Sequence, residues 1–391
     1  MKRIKLSPVL LMVIMISIGI IIKYLVLVIS GGLFYNTIFF ENRHFMDFFQ
    51  HVDRFVKPGN VYFTDQDACF PAMAYVVYSL IYRLFSFEKV IDYNMLKETD
   101  IAMYIVSFYV GIFLLAFTLT FINNVKNISK AEKNILCILL CLSYPFALAI
   151  ERGNISVYVM LLILLSMCLK DSESKVGKEF ALILIALAAS FKIYPAIFGL
   201  IYIREKRFKE AIRLVIYGII SFFAPFAFFG GLVGLKQFIY NITQIGTFIT
   251  GISISGIVLR IIPGDTGIMI GKILSILFLV CVVLIVMLSK LDWKSIALLS
   301  SLMMIFISES GSYCLIYWTI PLVMFINNNQ KTKMDYCYAV LFSLVFACLP
   351  IPGLGASGIL YVFLYIQIVV IMLDKIKSIY TTKFNRKTEL N

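Results

Sequence analysis

The sequence predicts an all-α polytopic membrane protein. Hydrophobic residues make up 61% of the 391 residues and charged residues only 15%, whereas a soluble domain is about half apolar and about a quarter charged. Apolar runs of roughly 15–25 residues recur along the chain, which is the length that a helix needs to cross a bilayer. The net charge of +13 is concentrated in short loops, as the positive-inside rule describes, so it does not indicate nucleic-acid binding.

We expect a single membrane domain over residues 1–391. Residues 1–33 form the first span, because the MKRIK start and the following apolar run reach Gly31 without a small-residue cleavage site. Residues 34–100 form a long external loop with juxtamembrane helices, residues 101–230 a helical module, and residues 231–391 the C-terminal helices.

The number of crossings depends on Phe70–Phe85, an apolar segment of only 16 residues that carries Arg83. Treating it as a re-entrant or surface helix places six basic loops on the cytoplasmic side, together with both termini. These loops are 123–134, 170–178, 204–213, 290–294, 327–333 and the tail from 375. About twelve crossings result, some of them partial. After the first they are predicted at about 101–122, 135–150, 155–169, 179–192, 195–203, 212–229, 268–288, 295–307, 313–326, 335–349 and 357–374.

Two charged groups, Glu151-Arg152 and Lys192, lie between short apolar segments. An ionisable group in such a place is costly in hydrocarbon, so it usually faces a cavity and a partner. We predict that Arg152 and Lys192 converge on an anion at membrane depth. The alternative is that both side chains lie at helix ends and extend to the interface.

Asp47 is the best candidate for acid–base chemistry. It lies in the segment RHFMDFFQHVDRF with aromatic residues on both sides. A partly desolvated carboxylate is suited to accept a proton from an alcohol. The alternative is a water-facing Asp on an interfacial helix, and Asp53 is a second candidate.

Further polar segments carry weaker signals. Asp65-Gln66-Asp67 is similar to the metal motif of soluble sugar transferases, but a cap or loop role before Pro71 is favoured. In Gly251–Ile261, small and hydroxyl residues precede Arg260, which suits a phosphate contact or, equally, a turn before a helix. Two His and eight scattered Cys give no metal-ligand spacing. No cofactor is therefore expected, and a divalent metal is not indicated.

Several segments together resemble the integral-membrane GT-C glycosyltransferases, specifically glycosyltransferase family 87, the polyprenol-phosphate-mannose-dependent mannosyltransferases. The segments are Asp47-Phe48, Gly59–Tyr62, Phe70-Pro71, Arg152-Gly153-Asn154, Phe191–Pro195, Ser253–Gly256 with Arg260, and Tyr313. The resemblance implies a GT-C fold, with Asp47 as the catalytic base. It implies donor-phosphate or substrate contacts from Arg152, Asn154, Lys192, Tyr194, Ser255, Arg260 and Tyr313, with Asp53, Asp67, Glu151 and Glu309 as secondary candidates. Asn154 stands where the family has Gln, which leaves mannose specificity open.

The predicted function is inverting transfer of a mannose-like hexose from a polyprenyl-phosphate donor to an external glycan or glycolipid, with the metal requirement left open. The expected partners are the donor, the acceptor and the lipid bilayer of the cell membrane, without nucleic acid. Two alternatives are a flippase or transporter of lipid-linked sugars and an O-antigen-type polymerase or ligase. A transporter should show internal repeats, and the ERGN and FKIYP segments occur once each.

Overall fold

The computed structural model describes residues 7–32, 45–55, 60–64, 68–84, 99–245, 251–307, 310–328, 332–347 and 356–388, and every regular element in those ranges is helical. The α-helices are α1 Pro8–Ile29, α2 Met46–Asp53, α3 Ala72–Leu84, α4 Asp100–Asn124, α5 Lys130–Cys141, α6 Tyr144–Glu151, α7 Ser156–Leu169, α8 Lys175–Phe191, α9 Leu200–Arg204, α10 Phe208–Phe223, α11 Gly231–Ile245, α12 Ile254–Ile261, α13 Asp265–Leu288, α14 Trp293–Ser301, α15 Thr319–Ile326, α16 Lys333–Ala347 and α17 Ala356–Thr388. Tighter turns lie at Val61–Phe63, Tyr194–Gly199, Ala224–Phe229 and Ser312–Trp318, and a π-helical turn at Leu302–Phe306.

Within the described ranges, four helical segments are long and apolar enough to cross a membrane: α1, α4, α13, and α10 continued to Phe229. Helices α5 and α6 form a fifth candidate that is bent by 45°. The membrane class predicted from the sequence is therefore supported, while the count of about twelve crossings stays a prediction. Helix α3 has 13 residues and spans about 20 Å, short of the ~30 Å of a bilayer core.

The shorter apolar helices form the centre of the bundle. Helix α7 is buried on most of its surface, as are α14 and α15. A helix that is apolar all round is stable only when other helices surround it. In contrast, α4 and α13 expose large apolar side chains such as Phe108 and Leu277, which are 63% and 53% exposed. Such surfaces suit contact with lipid.

Polar contacts join the basic loops at one end of the bundle. The Lys170 ammonium lies 2.8 Å from the Glu205 carboxylate, and Arg207 lies 3.1 Å from Asp171. Arg204 donates to the Ser289 carbonyl at 2.9 Å, so the loops after α7, α9 and α13 are adjacent. Three loops that the charge pattern predicts to be cytoplasmic therefore lie at one end.

A second set of contacts links the loop after α4 to the loop after α15. The Asn327 side chain donates to the Asn124 carbonyl at 2.9 Å and accepts from the Lys126 amide at 3.0 Å. These two loops are also predicted to be cytoplasmic.

Residues 230–267, which connect two of the predicted crossings, contain helices α11 and α12 in their described part. Helix α11 forms because Leu235, Phe238 and Ile242 fall on one face and pack into an aromatic cluster. That cluster also contains residues of α2, α3 and the turns at Val61–Phe63 and Ala224–Phe229. The Asn241 amide fixes α11 further by donating to the Tyr62 carbonyl at 3.0 Å.

Candidate active site

Two backbone hydrogen bonds dock the start of α2 onto the end of α6. The Phe45 amide donates to the Glu151 carbonyl at 2.7 Å, and the Asp47 amide donates to the Arg152 carbonyl at 3.0 Å. Phe45 itself has a φ of 59°, which is unusual for a bulky residue and costs on the order of 1–3 kcal/mol. The docking sets the position of Asp47 by main-chain contacts, before any side chain is considered.

Gly153 allows this close approach. Its φ is +63°, and a Cβ at this position would lie 2.6 Å from the Phe45 ring and 2.8 Å from the Phe48 Cβ. Any larger residue would therefore displace α2, and an L residue would also be strained at this φ. Gly153 thus forms a turn that only glycine fits. The residues on either side of it, Arg152 and Asn154, both direct their side chains to Asp47.

The Asp47 carboxylate accepts three hydrogen bonds from this turn. Arg152 donates from Nε to Oδ2 at 3.0 Å and from Nη2 to Oδ1 at 2.7 Å. Asn154 donates from Nδ2 to Oδ2 at 2.5 Å. Asp47 is only 7% exposed, and its partners compensate for the lost hydration of a buried charge.

The other end of the Asn154 amide contacts Ser156 and Lys192. Its Oδ1 accepts from the Ser156 backbone amide at 3.0 Å, from Ser156 Oγ at 2.6 Å and from Lys192 Nζ at 3.0 Å. Lys192 Nζ also donates to Ser156 Oγ at 2.8 Å. A continuous polar chain therefore runs from Lys192 to Asp47.

Lys192 comes directly after α8, where the backbone becomes extended before the Pro195 turn. Three aromatic rings surround its ammonium: Phe70, Tyr194 and Tyr313, with centroids 5.2, 5.8 and 5.2 Å from Nζ. Aromatic faces stabilise a cation at such distances. The ammonium is held by rings and hydrogen bonds together.

Tyr313 lies against both predicted cations. Its ring centroid is 4.7 Å from the Arg152 guanidinium carbon as well as 5.2 Å from Lys192 Nζ. Tyr194 also lies beside Lys192, and its hydroxyl is 2.9 Å from that of Tyr317. Asp47, Arg152, Asn154, Lys192, Tyr194 and Tyr313 thus form one cluster, which we call the Asp47 cluster.

Ser255 and Arg260 are not brought to this cluster by any contact among the described residues. Ser255 packs on α13, where its hydroxyl is 3.2 Å from Ser275 Oγ and a Cβ on Gly271 would be 2.8 Å from its Cα. Arg260 is exposed near the end of α12. Ser253 caps α12 by accepting from the Gly256 amide at 2.9 Å, so this segment is a helix start, the alternative that the sequence left open.

The secondary candidates differ in position. Asp53 is buried at the end of α2, and Glu151 is half-buried at the end of α6. Asp67 and Glu309 lie outside the described residues, so their predicted roles stay predictions. Among the residues that the structure describes, no group of three His, Cys, Asp or Glu side chains could hold a metal ion.

Two members of the network were missed by sequence reasoning. One is Ser156, which contacts both Asn154 and Lys192. Tyr109, on α4, donates to the Asn154 carbonyl at 3.1 Å and packs on Phe48 with centroids 5.2 Å apart. Helix α4 is apolar and contains two tyrosines, Tyr104 and Tyr109, and its sequence carries no pattern that singles out Tyr109 for such a contact.

An aromatic layer supports α2 on its other side. His51 stacks between Phe70 and Tyr78, with centroids 4.2 and 5.3 Å away, and its Nδ1 lies 3.3 Å from the Tyr75 hydroxyl. Burial, followed by the charges of Arg54 and Lys192, lowers the pKa of His51 well below its usual 6.5. His51 is therefore neutral at neutral pH.

A cavity of 590 Å³ lies on the opposite face of α3, lined there by Val76, Ser79, Leu80 and Arg83. Phe55 lines it as well, and its ring is 6.4 Å from the ring of Tyr75, which in turn contacts His51. Among the described residues, none of the Asp47 cluster lines this cavity.

The model of glycosyltransferase family 87 matches residues 95–308, which is more than half of the 391 residues. The chain belongs to glycosyltransferase family 87. No curated protein and no solved structure gives a significant match. Arg152, Asn154 and Lys192 lie within the region matched to family 87, whereas Asp47 and Tyr313 lie outside it. Family membership and the apolar helices together support a membrane-bound glycosyltransferase, so the predicted enzyme class is confirmed at this level.

Proposed function

We propose that this family 87 protein transfers a mannose-like hexose from a polyprenyl-phosphate donor to an external glycan or glycolipid, with inversion at the anomeric carbon. The observation that carries the proposal is the buried Asp47 carboxylate held by the Arg152 fork. One base and one phosphate-directed cation are the minimum that a single displacement needs. We further propose a GT-C fold in the cell membrane with about twelve crossings, cytoplasmic termini and the Asp47 cluster on the external side.

Asp47 Oδ1 is the proposed proton acceptor. Oδ2 accepts hydrogen bonds from Asn154 and from Arg152 Nε, whereas Oδ1 accepts one from Arg152 Nη2. Each carboxylate oxygen has two lone pairs, so Oδ1 keeps one for the acceptor hydroxyl. The hydrogen bonds fix the direction of that lone pair and thereby orient the attacking alcohol.

In the proposed step the acceptor oxygen attacks the anomeric carbon while its proton passes to Asp47. The bond between that carbon and the phosphate oxygen breaks, and the leaving phosphate keeps the electron pair. The negative charge that develops on the leaving oxygen needs a cation. The Arg152 side chain is 20% exposed, so it is the member of the cluster that we assign to the phosphate.

The remaining predicted contacts stay part of the proposal. Tyr194 and Tyr313 lie beside the cations of the Asp47 cluster and would bound the donor sugar. Ser255 and Arg260 would contact the donor only at a distance from Asp47, for example along its phosphate or prenyl chain. Asp53, Asp67, Glu151 and Glu309 remain secondary candidates, and no metal is assigned.

The test is a transfer assay with the purified protein in lipid nanodiscs. Polyprenyl-phosphate mannose, glucose and galactose, each radiolabelled in the sugar, are supplied with membrane glycolipid extract as the acceptor. Labelled lipid or glycan products are then separated and counted. Transfer from one of these donors, which releases polyprenyl phosphate, supports the proposal. If no glycosidic product forms, the protein is reconstituted in sealed vesicles, where transport of intact donor across the bilayer would favour a flippase instead.

A further inference from the structure

We propose that Lys192 and Ser156 are positioning residues, which set the Asp47 carboxylate through Asn154 and do not contact the donor phosphate. This inference rests on the proposed role of Asp47 as the base. It differs from the prediction made from the sequence, in which Lys192 contacts the phosphate directly.

The hydrogen bonds around Asn154 determine how its side-chain amide is oriented. An amide has an oxygen that only accepts and a nitrogen that only donates, so its surroundings decide which end points where. The Ser156 backbone amide can only donate, and it lies 3.0 Å from Asn154 Oδ1. This places Nδ2 on the side of Asp47, where it donates to Oδ2 at 2.5 Å. The turn into α7 therefore determines that Asn154 offers a donor to the carboxylate.

Lys192 completes this arrangement from the opposite side. Its ammonium donates to Asn154 Oδ1 at 3.0 Å and to Ser156 Oγ at 2.8 Å. A cation on the amide oxygen draws electron density away from the amide nitrogen, which strengthens the hydrogen bond from Nδ2 to Asp47. The positive charge of Lys192 thus acts on Asp47 through one amide group.

The surroundings of Lys192 argue against a direct contact with donor phosphate. The residue is only 6% exposed, and its ammonium has two hydrogen bonds and the faces of Phe70, Tyr194 and Tyr313 around it. A phosphate that approached the ammonium would compete with contacts that offset its desolvation. The Arg152 side chain, at 20% exposure, is the more accessible of the two cations.

Ser156 helps to position both Asn154 and Lys192. It is fully buried, donates from Oγ to Asn154 Oδ1 at 2.6 Å and accepts from Lys192. Removing the hydroxyl leaves Lys192 with one partner fewer, and it leaves Asn154 Oδ1 with only the backbone amide of residue 156 and Lys192 to hold it, so the Asn154 amide is less firmly fixed. The expected effect is on the orientation of the base and not on the affinity for the donor.

The experiment compares Ser156→Ala and Lys192→Met with wild type, using whichever of the three polyprenyl-phosphate hexoses the wild type turns over. Ser166→Ala is the matched control, because Ser166 is also buried on α7 and donates to the Ala181 carbonyl at 2.8 Å. Steady-state kcat and donor KM are measured in nanodiscs, together with the pH–rate profile.

We expect kcat to fall about 10-fold to 100-fold in each variant while donor KM changes less than about twofold. The acid limb of the kcat profile should move to higher pH, because Asp47 loses support for its charged form. The double variant should be little slower than the slower single variant, since both act through Asn154. Ser166→Ala should match wild type in all three measurements.

A tenfold rise in donor KM for Lys192→Met, with normal kinetics for Ser156→Ala, would overturn the proposal and make Lys192 a phosphate contact. If Lys192→Met does not accumulate in membranes, Ser156→Ala decides alone, and wild-type kcat with an unmoved pH profile contradicts the inference. Failure of the proposed function is distinguishable, because Asp47→Asn would then keep near-normal turnover whatever the Ser156 variant does.

Discussion

Arg152 donates two parallel hydrogen bonds to the Asp47 carboxylate, from Nε to Oδ2 at 3.0 Å and from Nη2 to Oδ1 at 2.7 Å. The two residues are 105 positions apart in the chain, so this pair connects the start of α2 to the helical module of residues 101–230. A forked contact of this kind fixes both the distance and the plane of the carboxylate.

Arg152→Lys is expected to lower transfer strongly although the charge is kept. A lysine ammonium cannot reproduce the two parallel hydrogen bonds, so the Asp47 carboxylate loses its fixed plane. We expect kcat/KM for the donor to fall about 10-fold to 1,000-fold, measured by the nanodisc assay. Arg213→Lys is the control, because Arg213 pairs with Glu179 on the helices α10 and α8. Equal losses in both variants would contradict a specific role for the Arg152 fork.

Gly153→Ala is expected to destabilise the protein and reduce transfer. The added Cβ would lie 2.6 Å from the Phe45 ring at a φ of +63°, so α2 has to move away from the turn that holds Asp47. We expect a loss of about 1–3 kcal/mol, seen as a lower apparent Tm in detergent.

Gly218→Ala is the matched control for that substitution. A Cβ on Gly218 meets no atom within 4 Å, and alanine favours the helix α10. Its Tm should equal or slightly exceed that of wild type. A Tm for Gly153→Ala that equals the control would contradict the close approach of α2.

His51 should make the protein less stable as pH falls. Burial lowers its folded pKa well below 6.5, so the unfolded chain binds a proton first on acidification. The stabilisation from keeping His51 neutral is complete above about pH 6.5 and is lost progressively below it.

His51→Gln is therefore expected to weaken the fall of apparent Tm between pH 7.5 and pH 5, by a few degrees. Tyr75→Phe, which removes the hydroxyl next to Nδ1 but leaves His51 buried, should keep the wild-type slope. If wild type and His51→Gln lose the same number of degrees, His51 does not titrate differently on folding.

The topology prediction is tested by reporter fusions. The contacts between Lys170, Glu205 and Arg207 place two basic loops at one end of the bundle, which the positive-inside rule assigns to the cytoplasm. A reporter inserted after Lys206 should be cytoplasmic, and one inserted after Thr64 should be external. An external signal at Lys206 would reverse the proposed side of the Asp47 cluster.

Much of the Asp47 cluster could be predicted from the sequence, because costly charges at Asp47, Arg152 and Lys192 interrupt apolar segments and must find partners. What could not be predicted is which partner each residue contacts. The sequence predicts Arg152 at the donor phosphate but not its pairing with Asp47, since that pairing depends on the turn at Gly153 and not on spacing along the chain.

The position of the segment around Ser255 and Arg260 could not be predicted for the same reason, because it depends on long-range contacts. A serine next to glycine fits a phosphate loop, a helix cap and a close helix crossing equally well on local chemistry. The approach of α13, with Gly271 against Ser255, decides among them and is a long-range contact. Helix α11 was also missed, because its apolar residues find their partners only in the aromatic cluster around Tyr62.

The most direct test of the account is turnover by Asp47→Asn. Asparagine keeps the size of the side chain but cannot take the proton, so kcat should fall by about two to four orders of magnitude while donor binding persists. Asp53→Asn, on the same helix, is the control and should be much milder. Near-normal kcat for Asp47→Asn in a folded, membrane-inserted protein would contradict the assignment of Asp47 as the base.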